Sequence, residues 1–186
     1  MKNLKEPLRN YINDTLNPIT NMELALEYEK IGQGAAALSF FLRTAELVYE
    51  SNPLLAYTCI LKTWKQMNNT TRRPVWEIEQ LFTAVTFLPS RAEAYYFLSR
   101  KASDKDNHKE SYMYACLGLQ FIDKEPLPYE IDGYKPYKLH FQKALSSWYC
   151  GQREESKEIF NMLSTQEGVE EEDKKLEQMK RKKAQE

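Results

Sequence analysis

The spacing of the apolar residues constrains this chain more than any other feature of its sequence. Prolines and glycines are sparse, eight and six in 186 residues, and between them apolar side chains recur every three or four positions. That period is typical of helices that bury one face, and no segment shows the alternation of a strand. The pattern therefore predicts an all-α chain whose successive helices form about four antiparallel pairs.

The apolar stripes also place these helix pairs along the chain. They cover residues 20–48, 56–85, 94–119 and 137–163. Thr20 and Glu23 have the spacing of a capping box, which predicts the start of the first helix. Glycines within 32–34 predict its end, and the polar sequence NNTTRRP at 68–74 predicts an exposed loop inside the second pair. Each pair is thus expected to consist of two helices joined by a polar turn.

The repeat region is flanked by segments of different character and is broken once. Residues 1–17 form a lead-in, 18–165 the helical repeat domain and 166–186 a tail. In the tail, acidic residues precede basic ones by four positions, which predicts a charged C-terminal helix. The segment 123–136 contains three prolines and one glycine, so we expect an irregular insertion there, and such insertions can be functional.

The most aromatic stretch, residues 91–121, divides into interior and exposed positions. Periodicity places four residues inside the third helix pair, namely Tyr95, Leu98, Tyr112 and Ala115. Tyr96 and Arg100 lie outside that stripe, four positions apart and therefore one above the other on a helix. Together they are suited to stack on an extended peptide or to hydrogen-bond its carboxylate. The alternative is a local cation–π contact on a solvated surface.

The composition excludes several classes of partner. Lys and Arg number 26 against 27 Asp and Glu, and the net charge of −1 gives no global field for nucleic acid or an anionic membrane. The basic run Lys180–Lys183 is offset by the acidic residues beside it. No apolar run approaches the roughly eighteen residues of a membrane span or forms a signal peptide. We therefore expect a soluble, cytoplasmic protein that binds neither nucleic acid nor membranes.

Motifs that carry chemistry are absent from the sequence as well. It contains no P-loop, GxGxxG, HExxH or GxSxG pattern. Cys59, Cys116 and Cys150 lack CxxC spacing and are interpreted as free thiols, and two histidines cannot build a metal site by themselves. Carboxylate pairs such as Glu23 and Glu27 are interpreted as a solvated helix face. We predict no catalytic residue, no metal site and no cofactor.

Small and large residues within the pairs follow a spacing that resembles the tetratricopeptide repeat. The matching positions in the first two pairs are Leu24, Ala25, Tyr28, Ala37 and Phe41, then Leu81, Ala84 and Pro89. In that family small residues allow the paired helices to approach closely and large ones fill the space beside them. The resemblance covers residues 18–165 and implies a right-handed α-solenoid.

The resemblance also implies where a partner would bind. In such an array the first helix of each pair lines the concave side. Carried over residue by residue, the groove positions are Met22, Leu26, Glu29, Tyr96, Arg100, Ser103, Phe141, Leu145 and Trp148. The second pair departs from the pattern and contributes none, and for Phe141 and Trp148 packing in the core is the alternative. The implied function is a non-catalytic protein–protein interaction module that presents a groove to a peptide or a partner domain.

A narrower resemblance gives an alternative function. The sequences LPSRAEAYYFLSR, ESYMYACLGL and ALSSWYCGQREESKEIFNMLS look like tetratricopeptide-type segments found beside glycosyltransferase domains in phages, large viruses and some bacteria. They imply an accessory module of a glycosyltransferase or another carbohydrate-modifying enzyme, without its catalysis. The aromatic residues of HFQKALSSWY leave a homo-oligomer open, because they need cover from the tail or from a second subunit.

Overall fold

The computed structural model describes residues 4–70, 74–166 and 169, with the side chains of 69–70 and 74–77 left out. Within this part of the chain there are nine α-helices and no strand, which confirms the all-α prediction. The helices are α1 (Lys5–Asn13), α2 (Pro18–Lys30), α3 (Gly34–Val48), α4 (Pro53–Thr70), α5 (Pro74–Phe87), α6 (Ala92–Ser103), α7 (His108–Leu119), α8 (Tyr137–Tyr149) and α9 (Arg153–Thr165).

The helices group into two compact units. Unit 1 contains α1 to α5 together with residues 124–132, and unit 2 contains α6 to α9 together with residues 133–136. The sequence predicts one repeat domain over 18–165, and that boundary stays a prediction. The insertion at 123–136 contains no helix, as its prolines predict. The predicted helix of the tail and its basic run at 180–183 lie outside the described residues.

The core of unit 1 is formed where α2, α3 and α4 meet. Its buried residues are Met22, Ala25, Ala37, Phe41, Val48, Leu55, Ala56 and Cys59. The small side chains of Ala25 and Ala37 let the helices approach, and the fully buried ring of Phe41 fills the adjoining space. Of the residues that carry the repeat pattern in the first pair, Leu24, Ala25, Ala37 and Phe41 are fully buried, and Tyr28 packs against this core while partly exposed.

The close packing of unit 2 depends on small residues of α7. Ser99 of α6 donates a hydrogen bond to the carbonyl of Ser111 at 2.8 Å, and the hydroxyls of Ser111 and Ser146 lie 2.6 Å apart. At Gly118 a Cβ atom would lie 3.0 Å from both Tyr95 Cβ and a terminal carbon of Leu139. Side chains larger than these would separate α7 from α6 and α8.

The start of α2 differs from its prediction. The helix begins at Pro18, and the side chain of Asn17 accepts hydrogen bonds from the backbone N–H groups of Ile19 at 2.9 Å and Thr20 at 3.4 Å. The Thr20 hydroxyl donates to the carbonyl of Asn17 instead of capping a helix of its own. The predicted capping box at Thr20 and Glu23 is therefore wrong, because an Asn cap followed by Pro at the first helical position starts the helix earlier.

Two other boundaries also differ from expectation. The lead-in contains a helix, α1, whose Tyr11 ring packs edge-on against Phe40 of α3 with centroids 5.2 Å apart. The loop expected at 68–74 is shorter, because α4 continues through Thr70, and residues 71–73 lie outside the described chain. The turns behave as expected, since Gly32 and Gly151 adopt φ values of 75° and 86° just after α2 and α8.

Candidate functional site

The first helices of the two pairs in unit 1 carry a cluster of polar side chains. Lys62 Nζ donates a hydrogen bond to Glu29 Oε2 at 3.0 Å, and Gln66 Nε2 donates to Glu29 Oε1 at 2.7 Å. Lys62 and Gln66 lie one helical turn apart on α4, so both reach the single carboxylate on α2. Only 5% of the Lys62 side chain is exposed, against 20% for Glu29. One carboxylate thus joins the two helices through a buried ammonium and a buried amide.

A lysine this deeply buried needs compensation for its lost hydration. The carboxylate of Glu29 supplies the opposite charge, and the Nζ atom also lies 5.7 Å from the centroid of the Phe41 ring. Both contacts favour the charged ammonium in a site with little water. Lys62 is therefore held in one position, and Glu29 is oriented by two donors.

A second lysine of α4 connects this face to the insertion. Lys65 forms an ion pair with Asp132, and the lysine is the more buried of the two partners. The hydrogen bond from Lys65 lowers the pKa of Asp132 below its ordinary value, burial works against that shift, and the charges of Lys65 and Lys62 add to it. We call the surface formed by Leu26, Glu29, Lys62, Lys65 and Gln66 the α2–α4 face.

The three groove positions predicted on α2 have different surroundings. Met22 has no exposed surface, and its Sδ atom lies 3.7 Å from the Sγ atom of Cys59. Its assignment to a partner site is corrected to a core role, because α4 covers it. Leu26 is half-buried against the core of unit 1, and Glu29 is the carboxylate described above. Only Leu26 and Glu29 keep surface for a partner.

Among the predicted positions on α6, the exposed one is Arg100. Tyr96 is only 4% exposed, and its ring packs against those of Phe97 and Tyr134, with centroids 5.0 and 5.6 Å away. The expectation that Tyr96 faces a ligand is corrected, because Tyr134 of the insertion packs on it. Burial raises the pKa of the Tyr134 hydroxyl, with Glu93 acting in the same direction. Arg100 is exposed in the last turn of α6, and Ser103 is partly exposed.

The three predicted positions on α8 differ in burial. Phe141 is partly buried, and its ring meets that of Phe160 edge-on at 5.8 Å, a contact of the kind that the core alternative predicts. Leu145 is buried, which corrects its groove assignment, since α6, α7 and α9 all pack against α8. Trp148 is partly exposed, with the guanidinium of Arg153 5.3 Å from its ring centroid.

The interior positions predicted by periodicity are largely confirmed. Tyr95, Leu98 and Ala115 are buried. Tyr112 is only half-buried, because its hydroxyl reaches out to donate a hydrogen bond to Glu155 Oε2 at 3.0 Å. Periodicity gives the direction of a side chain from the helix, and the polar tip of a long tyrosine can still extend to the surface.

Metal-ligating and nucleophilic side chains are scattered over the described part of the chain. In these ranges no group of three or more His, Cys, Asp or Glu side chains is placed to hold a metal ion. Burial raises the pKa of the Cys59 thiol to about 12, so this cysteine is not a thiolate nucleophile at neutral pH. No helix in the same part of the chain is both long and apolar enough to cross a membrane.

The fold of the chain is similar to that of solved structures, although its sequence matches no known family. No family model matches the chain, and no curated protein matches it. Two crystal structures of MamA, a helical repeat protein of the tetratricopeptide type, do match it. The chain has a tetratricopeptide-like α-solenoid fold. One MamA structure superposes with a TM-score of 0.60 at 16% identity, covering 85% of this chain and 82% of MamA. The other gives 0.58 at 16% identity, covering 85% and 77%.

The similarity to MamA confirms the predicted fold class and leaves the narrower resemblance to glycosyltransferase-associated segments without support. Sequence reasoning missed Lys62, Lys65 and Gln66, because the second pair departs from the repeat pattern and no groove positions were carried over to it. The signal was present in LKTWKQ, where three polar side chains with long stems recur at helical spacing on the first helix of the second pair.

Proposed function

We propose that this protein is a non-catalytic interaction module whose α2–α4 face binds a protein or peptide partner. One observation supports the proposal most directly, namely that Glu29, Lys62, Gln66 and Lys65 are fixed on two neighbouring first helices. In stacked helix pairs the first helices line the side that receives ligands. A surface whose charged groups are already oriented loses little conformational entropy on binding.

The chemistry of the face favours a partner with acidic groups. Lys65 offers an ammonium near the surface, and Leu26, half-buried on α2, adds apolar surface. In unit 2, Arg100 is exposed and Trp148 is partly exposed, and they are separate candidates for contact with a partner. The non-catalytic role is part of the proposal, and the repeat fold that the chain shares with MamA supports it.

Three further parts of the proposal rest on the sequence. They are a cytoplasmic location, a second copy of the chain as one form of partner, and the alternative role as an accessory module of a glycosyltransferase. No contact among the described residues favours carbohydrate chemistry over protein binding, so the interaction module is the function we carry forward.

Crosslinking and affinity capture test the proposed function. The intact protein is compared with a double variant, Lys65→Glu and Arg100→Glu, which reverses charge on first helices. The matched control, Lys109→Glu and Lys157→Glu, makes the same charge change on exposed lysines of the second helices α7 and α9. We expect one partner to be captured by the intact protein and the control and to be lost from the double variant. Equal capture by all three proteins contradicts the assignment, as does capture by none.

A further inference from the structure

The insertion contains a segment with the form of a bound peptide. Residues 124–132 contain no helix, and Pro126 and Pro128 restrict the residues before them to extended conformations. Burial alternates along the segment. Leu127, Tyr129 and Ile131 are partly or fully buried, whereas Pro126, Pro128, Glu130 and Asp132 are exposed. A period of two is that of an extended chain lying with one side against a surface.

The segment packs with unit 1, although α6 and α7 separate it from α5 in the sequence. The side chain of Tyr129 packs against the buried cluster to which α2, α3 and α4 contribute. Asp132 pairs with Lys65 across 67 positions of sequence. The ion pair is made with Lys65 of the α2–α4 face, and Tyr129 packs on the core beneath the same helices, so the chain itself contacts the surface proposed for a partner.

The charge of the segment complements that face. The sequence KEPLPYEID contains three acidic residues and one lysine. The face contributes Lys62 and Lys65, and both lower the pKa of Asp132. Two prolines in five positions also limit the conformations of the free segment, which reduces the entropy lost when it is bound.

We propose that residues 124–132 occupy the α2–α4 face as an internal ligand, and that the partner contributes an extended, acidic, tyrosine-bearing segment that displaces them. The proposal rests on the function proposed above and names both the chemistry of the partner and the element that regulates access. The recognition elements are an apolar contact for the tyrosine and an ammonium, that of Lys65, for a carboxylate two or three residues further on.

The contacts of the segment are of the kind that a competitor can replace. The Asp132 side chain is 67% exposed, and an ion pair in contact with water contributes little stability. Tyr129 is only partly buried, and the segment adds no helix to unit 1. Since the segment is part of the same chain, its effective concentration is high and lowers the apparent affinity of any competing peptide.

A labelled peptide measures this competition. The probe is KEPLPYEID with blocked ends, and its binding to full-length protein is followed by fluorescence anisotropy. The test variant, Tyr129→Ala with Asp132→Ala, weakens the internal ligand. The matched control, Tyr149→Ala with Glu154→Ala, likewise removes one tyrosine and one carboxylate, from exposed positions of unit 2. We expect the probe to bind the test variant at least tenfold more tightly than the intact chain or the control.

Two further variants keep the experiment decisive if the test variant, Tyr129→Ala with Asp132→Ala, folds poorly. Asp132→Lys changes one exposed side chain and should also increase the affinity of the probe. Adding Lys65→Glu to the test variant should remove the gain, as should a probe in which alanine replaces the tyrosine and the aspartate. Equal affinity for the intact chain and Asp132→Lys, or no binding to any variant, overturns the proposal.

The outcomes also separate this proposal from the interaction function. If capture of a partner is lost on charge reversal at Lys65 and Arg100 but is unchanged by Asp132→Lys, the interaction function stands and the internal ligand is overturned. If the probe binds more tightly to the test variant while no partner is ever captured, the internal ligand stands and the interaction function is overturned.

Discussion

The stability of unit 1 depends on a small group of buried polar side chains. Lys62, Gln66 and Glu29 form a connected group in which each buried donor has an acceptor. Removing one member leaves the others in a site with little water, and an uncompensated buried charge costs more than the pair contributes. The effect of a substitution therefore depends on which partner stays behind.

Replacing Glu29 by alanine should destabilise the protein by about 2 kcal/mol, because it leaves the Lys62 ammonium buried without its carboxylate. The partial exposure of Glu29 places the cost below the range of about 3–5 kcal/mol that is typical of breaking a fully buried pair. Urea unfolding followed by circular dichroism measures it. Adding Lys62→Met should restore part of the loss, and Glu154→Ala, which breaks the exposed pair with Lys157, should cost less than about 0.5 kcal/mol. A Glu29→Ala protein as stable as the Glu154→Ala control would contradict the assignment.

The three cysteines should differ in their reaction with iodoacetamide. Cys59 is fully buried and its pKa is raised to about 12, whereas Cys116 and Cys150 are partly exposed. Because alkylation requires an accessible thiolate, Cys116 and Cys150 should be labelled first in the native protein at pH 8, and Cys59 only after unfolding. Peptide mass spectrometry at increasing reaction times gives the order. Labelling of Cys59 at the rate of Cys150 would show that the core of unit 1 opens readily.

The sequence could predict the apolar interior at this scale, but not the buried charges. Helical periodicity placed Tyr95, Leu98 and Ala115 correctly because one face of each helix has to be buried. The same rule assigns a lysine such as Lys62 to solvent. Its burial depends on Glu29, 33 positions earlier, and no local pattern contains that pairing.

At the scale of the element, the small residues of α7 set how closely the neighbouring helices pack. Ser111 and Gly118 lie two turns apart on the helix, and each occupies a place where another helix approaches. Small residues at such places let neighbouring helices approach closely enough for their hydroxyl groups to form hydrogen bonds. Larger side chains would hold the helices apart. Unit 2 therefore depends on the volume of α7 side chains more than on their polarity.

Replacing Gly118 by alanine should destabilise the protein by about 1 kcal/mol. Alanine improves helix propensity by up to about 1 kcal/mol, but its Cβ would lie 3.0 Å from Tyr95 Cβ, which is fixed to the backbone of α6. Overpacking is expected to exceed the gain in propensity. The free energy of unfolding in urea tests this, and a Gly118→Val variant should lose still more. An alanine variant more stable than the original would show that α6 and α8 move apart at little cost.

Helix boundaries are less predictable than helix existence because several start signals compete. Asn17 followed by Pro18 starts α2, although Thr20 and Glu23 match a capping pattern three residues later. The helix α1 was not predicted, since its apolar stripe is short and is completed by the contact between Tyr11 and Phe40. Packing against a neighbouring helix stabilises such segments more than their own propensity does.

At the scale of the whole molecule, the insertion is the part that the sequence could describe least completely. Its prolines predicted the absence of helix, and its length indicated a possible functional role. Its position could not be predicted, because contacts such as that between Lys65 and Asp132 join residues 67 positions apart. Of the predicted groove residues, Met22 and Tyr96 were lost to intramolecular contacts of this non-local kind.

The ion pair between Lys65 and Asp132 should make the stability of the protein depend on pH in the acidic range. The pKa of Asp132 in the folded protein lies below the ordinary value of 3.8, chiefly because Lys65 donates a hydrogen bond to it, with the charge of Lys62 adding to the effect. Since ionised Asp132 favours the folded state, its contribution is present above about pH 4 and is lost as the pH falls through the folded pKa.

The measurement compares thermal unfolding of the original protein and an Asp132→Asn variant between pH 7 and pH 2.5. Above about pH 5 the variant should be less stable by a constant amount of about 0.5 kcal/mol, since the pair is in contact with water. Below the folded pKa the two curves should converge, because protonation removes the same charge from the original protein. Other carboxylates titrate equally in both proteins, so their effects cancel in the difference. Glu158→Gln, at an exposed position of α9, serves as a control, and its stability should stay close to that of the original protein at every pH. A difference for Asp132→Asn that is independent of pH would mean that the insertion is held on unit 1 by its apolar side chains and that the ion pair with Lys65 does not form in solution.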